Sequence, residues 1–141
     1  GWKKGAYPAR QDAEEGIRDG ILYLAEEDGE AMGSFILSHR QEDAYDGVKW
    51  QADLPERDVL TIYTFMVDPQ KRGRGIGREM LHFAASQGLA QGAKAIRLDV
   101  YEKNLPAIKL YESAGFRYID TVSLGLEDIG LDRFLLYEKL L

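Results

Sequence analysis

The feature that most constrains this chain is a glycine-rich turn, residues 70–78, between an apolar run and a long helical pattern. The run Val59–Val67 is nearly continuously apolar, which is typical of a strand buried on both faces. Glycines let a backbone approach an anion closely, and the unpaired N–H groups at a helix start attract negative charge. Strand, turn and helix therefore predict a phosphate-binding loop, to which Lys71, Arg72, Arg74 and Arg78 add positive charge.

The spacing within this turn indicates which phosphate it suits. No G-x-x-x-x-G-K-[ST] string is present, which excludes a Walker A loop. A dinucleotide fingerprint G-x-G-x-x-G starting at Gly73 fails, because its last position is Arg78. The string that fits is Q-x-x-G-x-G, at Gln70, Gly73 and Gly75. It resembles the acyl-CoA pyrophosphate loop of the GNAT superfamily of N-acetyltransferases.

A second motif, N-x-x-A-x-x-x-Y-x-x-x-G-F, occupies residues 104–116. Asn104 suits a helix start, Pro106 is tolerated in the first turn, and Gly115 suits a left-handed helix end. Asn104 and Tyr111 lie two helical turns apart, so they share nearly the same face. This string also resembles the GNAT superfamily, in which such a helix flanks the acyl-CoA cleft. The alternative for Tyr111 is an amphipathic core tyrosine.

The element pattern predicts a mixed α+β fold in one domain over residues 1–141, and the resemblance implies that this domain is acetyltransferase-like. Strands are predicted at residues 21–25, 31–38, 59–67, 95–101, 116–122 and 133–139. A helix over residues 74–91 makes strands 59–67 and 95–101 a right-handed parallel crossover. The resemblance implies a GNAT-like fold, with a central mixed, mostly antiparallel β-sheet and flanking helices. We expect the parallel strand pair to splay at its C-terminal ends and admit a ligand there.

The segments outside these motifs are less regular. Residues 1–8 predict a loop and residues 9–19 a weak helix closed by Gly20. GNAT members commonly open with a strand and a helix, and no apolar alternating run precedes Ile21. We therefore expect the first strand and helix to be absent or replaced by something else, such as a partner chain. Residues 41–57 predict a polar loop that is either mobile or functional.

Composition limits the partners. The 141 residues are 45% apolar, enough for one core, and the net charge of −6 argues against nucleic acid and favours cationic small partners. Cysteine is absent and the two histidines, His39 and His82, lack ligand spacing, so we expect no metal. No run reaches the ~18 apolar residues of a membrane helix, and no signal-peptide h-region opens the chain. We expect a cytoplasmic protein with no membrane or nucleic-acid partner; a homodimer stays open.

The resemblance implies acetyl-CoA as co-substrate and an amine-bearing acceptor, a small molecule or a peptide. The acetyl group would pass directly to a primary amine, which agrees with the lack of a cysteine or G-x-S-x-G nucleophile. Tyr111 would donate a proton to the departing coenzyme A. Asn104 would hydrogen-bond the cofactor arm. The remaining cofactor contacts would come from the backbone of Met66 and Val67 for the pantetheine arm, and of Arg72, Gly73, Arg74, Gly75, Ile76 and Gly77 for the pyrophosphate.

The sequence leaves the general base open. An amine like that of lysine has a pKa of about 10.4 and must lose a proton before it attacks. The strand before the turn offers only Thr61, Tyr63 and Thr64 as polar side chains, so His39, Asp58 and a water chain are the alternatives. Competing functions are a non-catalytic acyl-CoA sensor and a phosphate- or RNA-binding module. The RNA alternative predicts a more basic surface than this acidic chain provides.

Overall fold

The computed structural model describes residues 2–4, 21–71 and 73–141. Helix α1, Ile76–Ala90, and helix α2, Leu105–Ser113, follow the fourth and fifth strands. In that described part of the chain, neither helix has the length and apolar character needed to cross a membrane. The strands are β1 Trp2–Lys4, β2 Ile21–Glu27, β3 Glu30–Ser38, β4 Val59–Val67, β5 Ala95–Tyr101, β6 Arg117–Val122 and β7 Phe134–Leu140.

These strands form one seven-stranded sheet in the order β1-β2-β3-β4-β5-β7-β6. β4 and β5 run parallel, and every other described neighbouring pair is antiparallel. The β4–β5 ladder ends with the pairing of Thr61 with Arg97, although β4 continues to Val67 and β5 to Tyr101. The predicted mixed, mostly antiparallel sheet and the predicted splay of its parallel pair are both confirmed.

A β-bulge in β4 accompanies the splay. The register between β3 and β4 shifts between Ser34 and Ile36, so that one extra β4 residue is accommodated there. Within this bulge Thr64 has a φ of 46°, a left-handed conformation that costs a non-glycine residue about 1–3 kcal/mol. A bulge bends its strand and increases the local twist. The bend turns the end of β4, from Phe65 onwards, away from β5.

Helix α1 covers one face of the sheet, in contact with β3, β4 and β5. Its predicted apolar stripe is confirmed, because Ile76, Met80 and Ala84 are buried and Phe83 is partly buried against the core. The close approach of α1 to β3 requires Gly33, where a Cβ atom would lie 2.8 Å from Met80 Sδ. This packing fixes the start of α1 beside the end of β4.

The opposite face of β5 holds residues 41–57 through a buried ion pair. Arg97 Nε donates to Glu138 Oε2 at 2.8 Å, and these residues are only 4% and 0% exposed. The backbone N–H of Gln51 donates to the other carboxylate oxygen of Glu138 at 2.8 Å. The Arg97 guanidinium also stacks on Trp50, 4.1 Å from a ring centroid. The predicted irregular segment is therefore tied to β5 and β7.

One sequence-based prediction fails at the N-terminus. The loop predicted for residues 1–8 is wrong at Trp2–Lys4, which pair antiparallel with β2, Trp2 opposite Ala25 and Lys4 opposite Tyr23. The predicted absence of a strand before Ile21 is wrong for the same reason. An edge strand gains backbone hydrogen bonds from its neighbour, so it needs no apolar alternation of its own. The helix predicted for residues 9–19 lies outside the described residues.

The buried ion pair yields a stability prediction. Arg97→Leu should lower the free energy of unfolding by about 3–5 kcal/mol, because it leaves the Glu138 carboxylate buried without its cation. Urea denaturation followed by circular dichroism measures this loss. The double variant Arg97→Leu/Glu138→Leu removes both charges and should recover part of it. A single variant as stable as the wild type would contradict the anchoring role of the pair.

Candidate functional site

A cleft of about 620 Å³ opens where the end of β4, the start of α1 and the start of α2 converge. The gap between β4 and β5 provides the space, because the two strands no longer pair beyond Thr61. The described residues that line the cleft are Phe65, Val67, Lys71, Gly73, Gly75, Ile76, Gly77, Arg78, Asn104, Pro106, Ala107, Leu110 and Tyr111.

Most of the residues predicted from the sequence to contact the cofactor line this cleft. Met66 does not line it, and its side chain is half exposed on the same strand. Arg74 is exposed within the turn but is also absent from the lining. Arg72 lies outside the described residues. The selected residues that line the cleft are Val67, Gly73, Gly75, Ile76, Gly77 and Asn104, together with Tyr111.

The glycine turn presents its backbone to the cleft. Gly73 and Gly75 have φ angles of 84° and 76°, and a Cβ atom on either would meet no other atom within 4 Å. The left-handed backbone therefore requires glycine at these positions, and the space above them is open. Helix α1 begins at Ile76, directly after Gly75, so the amides of its first turn have no acceptor within the helix. Such amides can bind an anion.

The charges around the turn favour the same ligand chemistry. Lys71 forms an ion pair with Glu30 of β3, with 3.3 Å between Nζ and the carboxylate. Arg74 and Arg78 are exposed and form no ion pair with any described residue. Their guanidinium groups and the positive end of the α1 dipole make this mouth of the cleft attractive to phosphate.

Helix α2 is capped at its N-terminus by Asn104, whose Oδ1 accepts the Ala107 N–H at 3.4 Å. At its C-terminus Gly115 follows the helix with a φ of 93°. Both caps agree with the sequence prediction. The Asn104 cap keeps this side chain in the wall of the cleft, which the first turns of α1 and α2 line together. Close contact between the helices also depends on Gly77, where a Cβ atom would lie 2.8 Å from Leu110 Cδ2.

A second cavity, of about 250 Å³, adjoins the cleft in the gap between β4 and β5. Phe65, Asn104 and Tyr111 line both spaces, so the two meet at these residues. The cavity contains two carboxylate side chains, and none of the described residues that line it is basic. Its other lining residues are Glu42, Ile62, Tyr63, Thr64, Leu98, Asp99, Val100, Tyr101, Leu124 and Phe134.

Tyr111 stands at the junction of the two spaces. Its ring packs edge-on against Phe65, with 5.8 Å between centroids, and 6.2 Å from Phe116. Its hydroxyl forms no hydrogen bond with a described residue. Burial, and then the charge of Asp99, raise the pKa of Tyr111 to about 12. The hydroxyl therefore keeps its proton at neutral pH and is available as a donor.

Asp99 is one of two carboxylate side chains in this site, with Glu42, that the sequence analysis did not select. It lies on β5, and Tyr45 donates its hydroxyl proton to Asp99 Oδ2 at 2.7 Å. Burial raises the pKa of Asp99; the Tyr45 hydrogen bond opposes this rise and the charge of Glu42 adds to it. The sequence signal was the alternation that puts Asp99 on the polar face of β5. No local pattern reveals that Tyr45 packs there.

The bases that the sequence offered lie elsewhere. His39 Nδ1 is 2.8 Å from the carbonyl oxygen of Val59, at the N-terminal end of β4. Asp58 precedes the same end and pairs with Lys94 at 3.7 Å. Neither residue lines the cleft or the adjoining cavity. Across residues 21–71 and 73–141, no group of three His, Cys, Asp or Glu side chains could hold a metal ion.

Comparison with known sequences matches this arrangement. The model of the acetyltransferase (GNAT) family matches residues 1–116. Over 96 residues the chain is 32% identical to a mycothiol acetyltransferase of Thermobispora bispora, an alignment that covers 67% of this chain and 29% of that relative. The chain spans less than a third of the length of the curated relatives it matches.

Solved structures share the fold, and two of them illustrate the likeness. A GNAT family acetyltransferase from Elizabethkingia anophelis with acetyl-CoA bound has a TM-score of 0.73 at 18% identity, over 96% of this chain and 86% of that one. A Bacillus subtilis acetyltransferase in complex with CoA has a TM-score of 0.76 at 14% identity, over 99% and 97%. The family model covers most of the sequence and the fold agrees with it, so this chain belongs to the acetyltransferase (GNAT) family.

Proposed function

We propose that this chain is an acetyl-CoA-dependent N-acetyltransferase that moves the acetyl group directly to a primary amine of a small molecule or peptide. The observation that carries the proposal is the meeting of two unlike spaces at Tyr111. The cleft mouth suits a phosphate-bearing donor, and the adjoining acidic cavity suits an amine. The Tyr111 hydroxyl lies between the cleft and the cavity, where a proton must reach the leaving sulfur.

The donor occupies the cleft. The backbone amides of Arg72, Gly73, Arg74, Gly75, Ile76 and Gly77 bind its pyrophosphate, for which the left-handed glycines and unpartnered helix-start amides are the support. The pantetheine arm lies along β4 beside Met66 and Val67, where the end of the β4–β5 ladder leaves an unpaired strand edge. The Asn104 side chain hydrogen-bonds this arm from the start of α2.

Tyr111 is the general acid. As the amine nitrogen bonds to the acetyl carbon, the carbon–sulfur bond breaks and the sulfur leaves as a thiolate that takes the Tyr111 proton. Support comes from the place of Tyr111 at the junction of the two spaces, where its hydroxyl bonds no described residue. A cytoplasmic location, a homodimer and a single domain over residues 1–141 remain predictions from the sequence.

A turnover screen tests this function. Acetyl-CoA is incubated with spermidine, kanamycin, lysine and a peptide with a free N-terminus, and both the released thiol and the acetylated product are measured. We expect enzyme-dependent acetylation of at least one amine. Binding of acetyl-CoA without turnover would instead support a non-catalytic acyl-CoA sensor. Failure to bind acetyl-CoA by calorimetry would contradict both functions.

Gly75→Val should weaken acetyl-CoA binding by about tenfold or more, a loss of at least ~1.4 kcal/mol. The branched side chain strains a left-handed backbone and enters the open space above the turn. Gly92→Val is the matched control, because Gly92 has a φ of 81°, has no atom near its Cβ position, and follows the other end of α1. Calorimetry on both folded variants decides the matter. Equal affinity for Gly75→Val and Gly92→Val would mean that the turn does not bind the donor.

Tyr111→Phe should lower turnover by about 10²–10⁴-fold, the usual contribution of a general acid. It should leave the acetyl-CoA affinity and melting temperature nearly unchanged, because the ring remains and the hydroxyl bonds no described residue. Tyr118→Phe serves as the control, since Tyr118 is 53% exposed and lines neither space. Turnover of Tyr111→Phe close to that of the control would return Tyr111 to a packing role.

A further inference from the structure

The cavity beside Tyr111 contains the carboxylate of Asp99, to which the proposed function assigns no catalytic role. We propose that Asp99, positioned by Tyr45, is the base that deprotonates the acceptor, and that this cavity selects primary alkylammonium substrates. The inference rests on the proposed N-acetyltransferase function, because a base is needed only if an amine attacks in this cavity.

The position of Asp99 follows from the splayed strands. It lies two residues beyond Arg97, the last β5 residue that pairs with β4. The β4 strand therefore does not lie against β5 at Asp99. Its Oδ2 atom accepts the Tyr45 proton at 2.7 Å, while Oδ1 accepts no hydrogen bond from a described residue. Asp99 and Tyr111 line the same cavity. A proton acceptor and a proton donor therefore face the same small space.

The lining of the cavity favours a cation. Glu42 adds a second carboxylate to that of Asp99, and no described lining residue carries a compensating positive charge. Aromatic rings complete much of the wall, and ring faces attract ammonium groups. A protonated alkylamine satisfies both features, whereas a neutral arylamine or an alcohol satisfies only the aromatic one. The aromatic lining residues are Tyr63, Phe65, Tyr101, Tyr111 and Phe134.

The buried setting also suits Asp99 as a base. An exposed aspartate has a pKa of about 3.9, too low for efficient proton removal near neutral pH. Burial raises the pKa of Asp99 and the charge of Glu42 adds to the rise. Among the described residues, the charged and titratable groups that face Asp99, its cavity or a lining ring are Glu42, Tyr45, Tyr63, Tyr101, Tyr111 and Arg40, whose guanidinium lies 5.4 Å from the Tyr63 ring centroid.

The protons balance in the resulting reaction. The Asp99 carboxylate removes one proton from the alkylammonium, which leaves a neutral amine with a free lone pair. That lone pair forms the nitrogen–carbon bond to the thioester carbonyl, and the carbon–sulfur bond breaks. Tyr111 gives its proton to the sulfur and regains the second proton that the nitrogen loses. The products are an N-alkylacetamide, the coenzyme A thiol and protonated Asp99, which releases its proton to water.

Tyr45 acts through Asp99 and is a positioning residue. Its side chain is 2% exposed, and burial followed by the charge of Asp99 raises the pKa of its hydroxyl, so that hydroxyl stays a donor. Trp50 holds the tyrosine in place: the indole Nε1 donates to the Tyr45 carbonyl at 3.2 Å, and the ring centroids are 5.4 Å apart. Because Trp50 stacks on Arg97, the buried ion pair fixes the hydroxyl that orients Asp99.

The central test compares the pH profiles of wild type and Asp99→Asn, using the panel amine with the highest turnover. At neutral pH the variant should lose about 10²–10⁴-fold in kcat/KM. The loss should shrink as the pH approaches the amine pKa of about 10.4, because the free amine then no longer needs a base. A loss that is equal at every pH would mean a structural role, and kcat/KM within about threefold of the wild type at neutral pH would also overturn the assignment.

Two further variants separate the alternatives. Tyr45→Phe removes the hydrogen bond that lowers the pKa of Asp99, so the acidic limb of its kcat/KM profile should move to higher pH. An unshifted limb would contradict the positioning role. Asp120→Asn is the matched control: Asp120 is exposed on β6, lines neither the cleft nor the cavity, and should keep wild-type kinetics. Loss of activity in that control would mean that charge removal alone explains Asp99→Asn.

The selectivity is tested separately. Glu42→Gln keeps the side-chain size but removes one charge from the cavity, so KM for the alkylamine should rise several-fold while kcat changes little. An unchanged KM would contradict selection by charge. Acetyl-CoA binding is measured on every variant. If Tyr111→Phe is impaired but Asp99→Asn is not, only the base assignment fails. If the wild type acetylates no panel amine, the proposed function itself fails, and the base assignment with it.

Discussion

The whole site depends on the early end of the β4–β5 ladder. Past Thr61 and Arg97, each strand carries backbone N–H and C=O groups that the other does not satisfy, and such groups need partners. The bulge at Thr64 sustains this gap by bending β4, at a local cost in backbone energy. The gap gives an extended, amide-bearing ligand a strand edge, and it exposes Asp99 on the other strand. One interrupted ladder therefore creates both halves of the site.

Charge is distributed unevenly along this gap. The mouth near Arg78 is positive although the chain carries a net charge of −6, and the cavity near Glu42 and Asp99 is negative. Tyr111 lies between them, and the charge of Asp99 helps to raise its pKa. The carboxylate therefore strengthens the hold of Tyr111 on its proton. Titratable groups whose environments make one an acceptor and the other a donor are the usual arrangement for acid–base chemistry.

The sequence predicts the donor half of the site well, because short-range patterns determine it. The predicted bounds of β4 and β5 are those in the structure, and Asn104 caps α2 as its type and position suggest. The acceptor half depends on contacts between distant positions. Tyr45 meets Asp99 across 54 positions, and Arg97 meets Glu138 across 41. Periodicity assigns Asp99 to a polar strand face, but it cannot report which segment packs on that face.

The anchoring of residues 41–57 has a consequence for how this protein can diverge. Gln51 reaches Glu138 through its backbone N–H, so that hydrogen bond survives replacement of the Gln51 side chain. Glu42 and Tyr45 lie on the same anchored segment, whereas the glycine turn lies on another part of the chain. Substitutions in the segment can alter the acceptor cavity while the donor cleft keeps its residues. The sheet thus holds a segment that can vary independently of the donor cleft. Homologues that keep one acyl donor can therefore evolve to modify different amines.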